Sequence, residues 1–282
     1  MVKLRTSAKN ILNIIAPLKA CNSAKVKVKF SEKEIEIKQV DPAHVMMIST
    51  LTNVEVAKRE GSITEYEVTG YDIGEDFETY GMDIDKLIPL LKQLGNEEVY
   101  LHTEFVSKKN RNSPKGESIA NTLVIETPNM TRSMYLEDKY GLNEPKAPKL
   151  TLPAVFEVSA SVLKKRLAYM MASEVSHCLV VTYEAGKVTW RTGPKKNQED
   201  DFVEFVDYVN SVAVKDTRDV TSKYRSLYPL DYMTRVLKYI SPTAESGYKI
   251  TVNMGNDYPL KMEYVRGNTK IQIFQAPRIE SD

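Results

Sequence analysis

Three histidines and two cysteines are the residues of this chain best suited to hold a metal or relay a proton, and their spacing gives them no common task. His44, His102 and His177 share no interval. Only His177 has a soft neighbour, Cys178, and one adjacent pair is not a metal-ligand pattern. The acidic pair Asp200-Asp201 has the chemistry of nuclease metal ligands, yet adjacent residues on a strand point to opposite faces. A solvated loop accounts for them better. Gly193-Pro194-Lys195-Lys196 lacks the leading glycine and the closing hydroxyl of a phosphate-cradling loop. No nucleophile elbow is present. These patterns argue against an enzyme and call for no cofactor and no metal.

Charge offers a different chemistry. The net charge of +1 over 282 residues hides an uneven distribution. Four helix candidates, residues 7–21, 83–94, 159–173 and 228–241, carry Lys9, Lys19, Lys86, Lys92, Lys164, Lys165, Arg166, Arg235 and Lys238. Against these nine cations stand three acids, Asp83, Asp85 and Asp231, so the helices hold +6 and the remainder −5. All three acids lie near helix N-termini, where capping and the helix dipole favour them. A solvated face explains one basic helix; four helices of one sign point to a polyanion as readily as to solvent.

The elements that would position these cations repeat. Ile11, Ile15 and Leu18 make an apolar helical stripe, after which the period changes to two: Val26, Val28 and Phe30 alternate with lysines, then Ile35 and Ile37 with charged residues. About 150 residues later Leu163, Leu167 and Met170 repeat the stripe, Leu179, Val181 and Tyr183 the first strand, and Val188 and Trp190 the second. Ile84, Leu87, Ile88 and Leu91 match Met233, Val236, Leu237 and Ile240 at a constant interval of 149. Leu123, Ile125, Met134 and Leu136 match Leu260, Met262, Ile271 and Ile273 at an interval of 137. Matches in one order along the whole chain predict two copies of one α+β fold, covering 1–136 and 151–282. Each copy has room for its own core.

Between the copies, residues 137–150 (EDKYGLNEPKAPKL) read as a connector, with Tyr140 and Leu142 supplying apolar side chains that a bare spacer does not need. Asp41-Pro42-Ala43-His44 reads as a turn before a buried strand from Val45 to Leu51. Strands are expected over Ile63–Val68, Val99–Phe105 and Lys270–Phe274, and Pro89 should bend the second helix. Residues 107–118 read as a polar surface loop. The stretch Phe202–Val209 is apolar on both faces, which suits a central strand or an edge that pairs with another chain. Cys21 and Cys178, far apart and without a disulfide framework, suit a reducing intracellular setting. No signal peptide is evident and no apolar run approaches the ~20 residues of a membrane helix, so no membrane contact is expected.

Several strings resemble the DNA sliding clamps of the proliferating cell nuclear antigen (PCNA) type: Val40-Asp41-Pro42-Ala43-His44-Val45, Asp257-Tyr258-Pro259-Leu260-Lys261-Met262-Glu263-Tyr264, and Ala276-Pro277-Arg278-Ile279-Glu280. The helix exit Gly95-Asn96-Glu97 is similar too. These anchors fall in family order from about residue 40 to residue 280. The resemblance implies a pseudo-sixfold ring, usually a homotrimer, with sheets outside and two short helices per domain lining a hole around double-stranded DNA. The nine helical cations would then meet phosphates without reading sequence.

It further implies a polymerase processivity factor that docks DNA polymerase, a clamp loader, flap endonuclease and DNA ligase. By position, the docking pocket comprises Val40, His44, Val45 and Met47, with Pro259, Phe274, Ala276, Pro277 and Ile279 alongside and Tyr140 and Leu142 as lid. The subunit contact would pair Met130–Leu136 with Phe202–Val209, using Arg132, Met134, Val203, Phe205, Asp207 and Val209, with Arg132 opposite Glu204 or Asp207. The connector departs from the family pattern in its lysines and prolines, and the 107–118 segment is longer than the usual hairpin. The implied location is replicating DNA inside the cell, in an archaeal-type cytoplasm or nucleoid ahead of a nucleus or viral replication site. Alternatives are one subunit of a heterotrimeric or checkpoint-type clamp and, from another class, a metal-dependent nuclease.

Overall fold

The computed structural model describes residues 1–70, 75–108, 117–193, 201–208, 223–240 and 249–278. It divides into two compact units, one made of Met1–Gln39, Ser49–Lys146 and Val265–Lys270, the other of Val40–Ile48, Ala147–Tyr264 and Ile271–Asp282.

The first part of the chain runs β1 (Val2–Ser7), α1 (Ala8–Ile15), β2 (Lys25–Ser31), β3 (Glu34–Val40), β4 (Met46–Asn53), α2 (Val54–Arg59), β5 (Ile63–Val68), β6 (Phe77–Asp83), α3 (Ile84–Leu94), β7 (Glu98–Lys108), β8 (Glu117–Thr127) and β9 (Met130–Tyr135). Five of these strands form an antiparallel sheet in the order β5-β1-β7-β8-β9. A second run of neighbours is β4-β3-β2-β6. The alternation expected for β2 and β3 is borne out: Val26, Val28, Phe30, Ile35 and Ile37 are buried while the residues between them are not.

The helix expected over 7–21 is a two-turn α1 followed by a 3-10 stretch, Ala16–Cys21. Pro17 explains the change, because it has no N–H to continue the α-helical ladder. Helix α3 runs through Pro89, whose ring lies on the exposed side where water can satisfy the freed carbonyl, and ends at Gly95, φ 59°. Short helix α2 has no counterpart in the sequence reading. Asn53 caps it, accepting a 2.9 Å bond from the Val56 N–H, and Val54 and Ala57 bury its inner side.

The second part runs β10 (Ala154–Ser159), α4 (Ala160–Ala172), β11 (Cys178–Glu184), β12 (Lys187–Thr192), β13 (Val203–Tyr208), β14 (Lys223–Pro229), α5 (Leu230–Ile240), β15 (Lys249–Met254), β16 (Leu260–Arg266) and β17 (Thr269–Gln275). Its neighbour orders are β13-β12-β11-β14 and β10-β15-β16-β17. These repeat β4-β3-β2-β6 and β1-β7-β8-β9 element for element, the duplication that the apolar stripes announce. Both copies open on a strand, β1 and β10, that precedes the first apolar stripe. The core of the second unit centres on Phe156, stacked on Tyr183 at 5.6 Å and edge-on to the fully buried Trp190 at 6.3 Å.

The connector begins close against the first unit. Glu137 N–H donates to the Gly81 carbonyl at 2.9 Å, and a Cβ on Gly81 would come within 2.5 Å of the Glu137 carbonyl oxygen. Only glycine permits that approach. Lys25 pairs with Glu137 and Lys29 with Glu144, each at 2.7 Å, so the strap follows β2 and β6 as far as residue 144. The two cysteines are free, Cys21 buried and Cys178 half-buried. Among the described residues no helix is long and apolar enough to cross a membrane.

Candidate nucleic-acid helices, docking wall and free edges

Each unit packs two helices side by side, α1 with α3 and α4 with α5. The inward stripes are Ile11, Ile14 and Ile15; Leu87, Ile88 and Leu91; Leu163, Leu167 and Met170; and Met233, Val236 and Leu237. Burying these stripes turns the cations outward. Lys9, Lys92, Lys165 and Lys238 are exposed and make no ion pair among the described residues. Lys164 is half-buried.

The other helical cations have acidic company. Lys19 bridges to Asp85, and Lys86 reaches Asp83 at 2.9 Å. Asp83 also caps α3, accepting from the amides of Asp85 at 3.0 Å and Lys86 at 3.3 Å. Burial alone would raise the Asp83 pKa, but the Lys86 ammonium and these amides outweigh it and hold the carboxyl below its ordinary range. Arg235 bonds Asp231 at 3.3 Å and lies over the Tyr232 ring at 4.0 Å. Pairs of this kind on a surface are worth little, so a phosphate can replace the carboxylate at small cost. Arg166 differs. It turns to Asp207 of β13 and stacks over Phe205, which makes it a strut within its own unit.

In the second unit the loop from Asp41 to Met46 and the C-terminal segment lie together, because Ala276 N–H donates to the Val45 carbonyl at 2.8 Å. Arg278 N–H continues onto the Leu227 carbonyl at 2.8 Å, and Gln275 Nε2 bonds the Pro229 carbonyl at 2.7 Å. Met47 and Phe274 are buried, so they form the floor of this wall and not its surface. Val40, Val45, Pro259, Ala276 and Pro277 are half-buried, and His44 is exposed. Ile279 lies outside the described residues. In the connector Tyr140 stands 86% exposed and Leu142 is half-buried.

One buried carboxylate, Asp41, organises this loop. Asp41 is 2% exposed and accepts four hydrogen bonds: Oδ1 from the amides of Val45 (2.7 Å) and Met46 (2.6 Å), Oδ2 from the amide of Ala43 (3.1 Å) and the hydroxyl of Tyr232 (2.9 Å). The sequence signal was present, since Asp before Pro opens turns by this bonding. The Tyr232 partner, 191 residues away, carried none.

The apolar stretch before Val209 becomes β13, an edge of the four-stranded sheet, and β9 is an edge of the five-stranded sheet. Large exposed apolar side chains collect there: Tyr135 on β9, Val206 and Tyr208 on β13, and Phe202 just before it. Met134 is buried, Arg132 exposed, and Val203 and Phe205 half-buried. Val209 lies outside the described residues. Glu204 and Asp207, suggested as partners of Arg132, are engaged within the chain, Glu204 by Arg191 at 3.3 Å and Asp207 by Arg166 and by Trp190 Nε1 at 3.0 Å. An open pocket of about 440 Å³ beside β9 gathers Lys86, Arg132, Met134 and Tyr135. Among the described residues no group of three or more His, Cys, Asp or Glu could hold a metal.

Comparison with known proteins follows these features along the whole chain. No family model matches. The DNA polymerase sliding clamp of Archaeoglobus fulgidus is 26% identical over 266 residues, covering 92% of this chain and 91% of its own length. That of Thermoplasma volcanium is 24% identical over 287 residues, covering 99% and 100%. Among solved structures, A. fulgidus PCNA bound to the C-terminal region of FEN-1 superposes with a TM-score of 0.76 at 21% identity, covering all of both chains. PCNA from Thermococcus kodakaraensis gives 0.73 at 18% identity, covering 99% of this chain and 100% of its own. Sequence relatives and fold thus agree from end to end, and the chain is similar along its whole length to DNA sliding clamps of the PCNA type.

Proposed function

We propose that this protein is a DNA polymerase processivity factor: copies of the chain close into a ring around duplex DNA and carry replication and repair enzymes along it. The observation that supports this reading best is the end-to-end match to curated sliding clamps. The exposed helical cations fit the same task. Lysines on rigid helices attract phosphate in any sequence and exchange it freely, so the ring slides and topology does the holding. Lys9, Lys92, Lys165 and Lys238 are the strongest candidates for this contact, and Lys19, Lys86, Lys164 and Arg235 support them. Arg166 acts on its own sheet.

The half-buried apolar wall of Val40, Val45, Pro259, Ala276 and Pro277, with exposed His44 beside it, suits a short apolar plug from a partner. Flap endonuclease is the first client to test, because the A. fulgidus structure holds the C-terminal region of FEN-1. DNA polymerase, clamp loader and DNA ligase follow from the same reading, which places the protein at replicating DNA, as befits archaeal relatives.

Loading on circular DNA with an archaeal loader, followed by a high-salt wash, tests the ring. Retention on circles and loss after linearisation is the expected result; decay with salt on both forms would reduce the protein to an ordinary basic binder. Changing Lys165 and Lys238 together to Ala should lower loading several-fold and leave the oligomer intact.

A further inference from the structure

We propose that Tyr232 is a positioning residue for partner docking: its hydroxyl, through Asp41, holds the Asp41–Met46 loop in the shape a partner reads. This rests on the docking wall described above and concerns a residue that no partner need touch.

The loop has little else to fix it. Between Asp41 and Met46 the backbone turns through Pro42, Ala43 and His44, all exposed, and His44 takes a left-handed conformation with φ 56°. That conformation is unfavourable for a side chain with a Cβ, so surrounding bonds must impose it. Two backbone bonds close the turn, His44 N–H to the Asp41 carbonyl and Asp41 N–H to the Met46 carbonyl, both 2.9 Å. Three further amides converge on the Asp41 carboxylate. A carboxylate that organises three amides must itself be held in one rotamer. The Tyr232 hydroxyl supplies that hold on Oδ2, the oxygen that otherwise bonds only the Ala43 amide.

Tyr232 is well fixed for the purpose. It sits on α5, one position from the buried Met233, and Arg235 covers its ring at 4.0 Å while bonding Asp231. The bond therefore ties the loop to a helix anchored in the core. Because Val45 also accepts from Ala276, a loop that shifts carries the C-terminal side of the wall with it.

Tyr232→Phe removes the hydroxyl and keeps the ring under Arg235. The probe is a synthetic peptide of the C-terminal region of FEN-1, with affinity measured by calorimetry and amide exchange by NMR. The substitution should weaken the peptide about three- to tenfold, the range expected for one typical hydrogen bond. The amides of Ala43, Val45 and Met46 should exchange faster, with the melting temperature lowered by no more than a few degrees and the oligomer mass unchanged. Asp41→Asn should also weaken binding, and the double variant should be no weaker than the worse single one, because both act through one bond. Unchanged affinity and unchanged exchange in Tyr232→Phe, or additive losses in the double variant, would overturn the proposal. Wild-type protein that ignores the peptide would sink the docking reading instead, and exchange at the three amides would then judge Tyr232 alone.

Discussion

Two sheet edges, β9 of the five-stranded sheet and β13 of the four-stranded sheet, are dressed differently. On β9 the exposed residues are the polar Thr131, Arg132 and Ser133, with a single positive charge, and one aromatic, Tyr135. On β13 and just before it they are Phe202, Val206 and Tyr208, and the strand's only charges are Glu204 and Asp207. An edge that offers unpaired N–H and C=O groups beside bare apolar side chains invites another strand, and soluble proteins cover or blunt such edges. Two β13 edges meeting would bring four carboxylates together. A β9 edge meeting a β13 edge sets Arg132 among them. The difference supports the proposed head-to-tail contact, and head-to-tail contacts build rings when the rotation closes.

The largest effect should come from blunting the apolar edge. Val206 and Tyr208 are 38% and 85% exposed, so lysine at both positions costs the isolated chain little. Against another strand the same lysines would need to be desolvated without partners. Val206→Lys with Tyr208→Lys should therefore reduce a trimer of 3 × 32.0 kDa, about 96 kDa, to 32.0 kDa by light scattering. A variant that keeps the full mass would show that β13 is not the seam. Wild-type protein already at 32.0 kDa would point to missing subunits and so to a heterotrimeric clamp.

A smaller effect belongs to β9. Arg132→Glu puts a third acid among Glu204 and Asp207 of the next copy. Arg191 and Arg166 partly neutralise those acids within the chain, so the repulsion is blunted. The trimer should dissociate about tenfold more readily on dilution, a loss near 1.4 kcal/mol. The mass-against-concentration curve measures it, and an unshifted midpoint would leave Arg132 outside the contact.

Sequence pattern made much of this visible, and its failures have physical causes. The stripes through Ile84, Leu87, Ile88 and Leu91 and through Met233, Val236 and Leu237 were legible because burial imposes a period of 3.6 on a helix. Helix α2 was not, since six residues display no period and its main signal is the single cap at Asn53. The cations of α4 were legible as a basic helix, but not the turn of Arg166 away from the common face. That turn depends on Asp207, 41 residues away on another element. Met47 and Phe274 were grouped with the docking segment by position, and only the fold shows that they are buried. The Asp41 turn could be read locally; its tie to Tyr232 is long-range and left no periodic trace.

The smallest effect on association, and the sharpest test of how β13 divides its labour, lies at Asp207. If that carboxylate served chiefly to meet Arg132 of a neighbour, removing it would hurt the trimer and spare the monomer. Its bonds argue the reverse. One oxygen takes both the guanidinium of Arg166 and the indole N–H of Trp190, a residue with no exposed surface. Asp207→Ala would strand that N–H in the core and leave Arg166, only 22% exposed, without its acid. A loss of about 2–4 kcal/mol in monomer stability is expected. Asp207→Asn keeps an acceptor for Trp190 and surrenders only the charge, so about half that loss should follow. Urea unfolding in the Val206→Lys, Tyr208→Lys background removes the dependence of stability on assembly, and the midpoint should fall with unchanged slope. In the otherwise wild-type chain, Asp207→Asn should move the dissociation midpoint less than Arg132→Glu does. Should it instead dissolve the trimer while the monomer unfolds at the wild-type midpoint, Asp207 belongs to the seam and the strut is incidental.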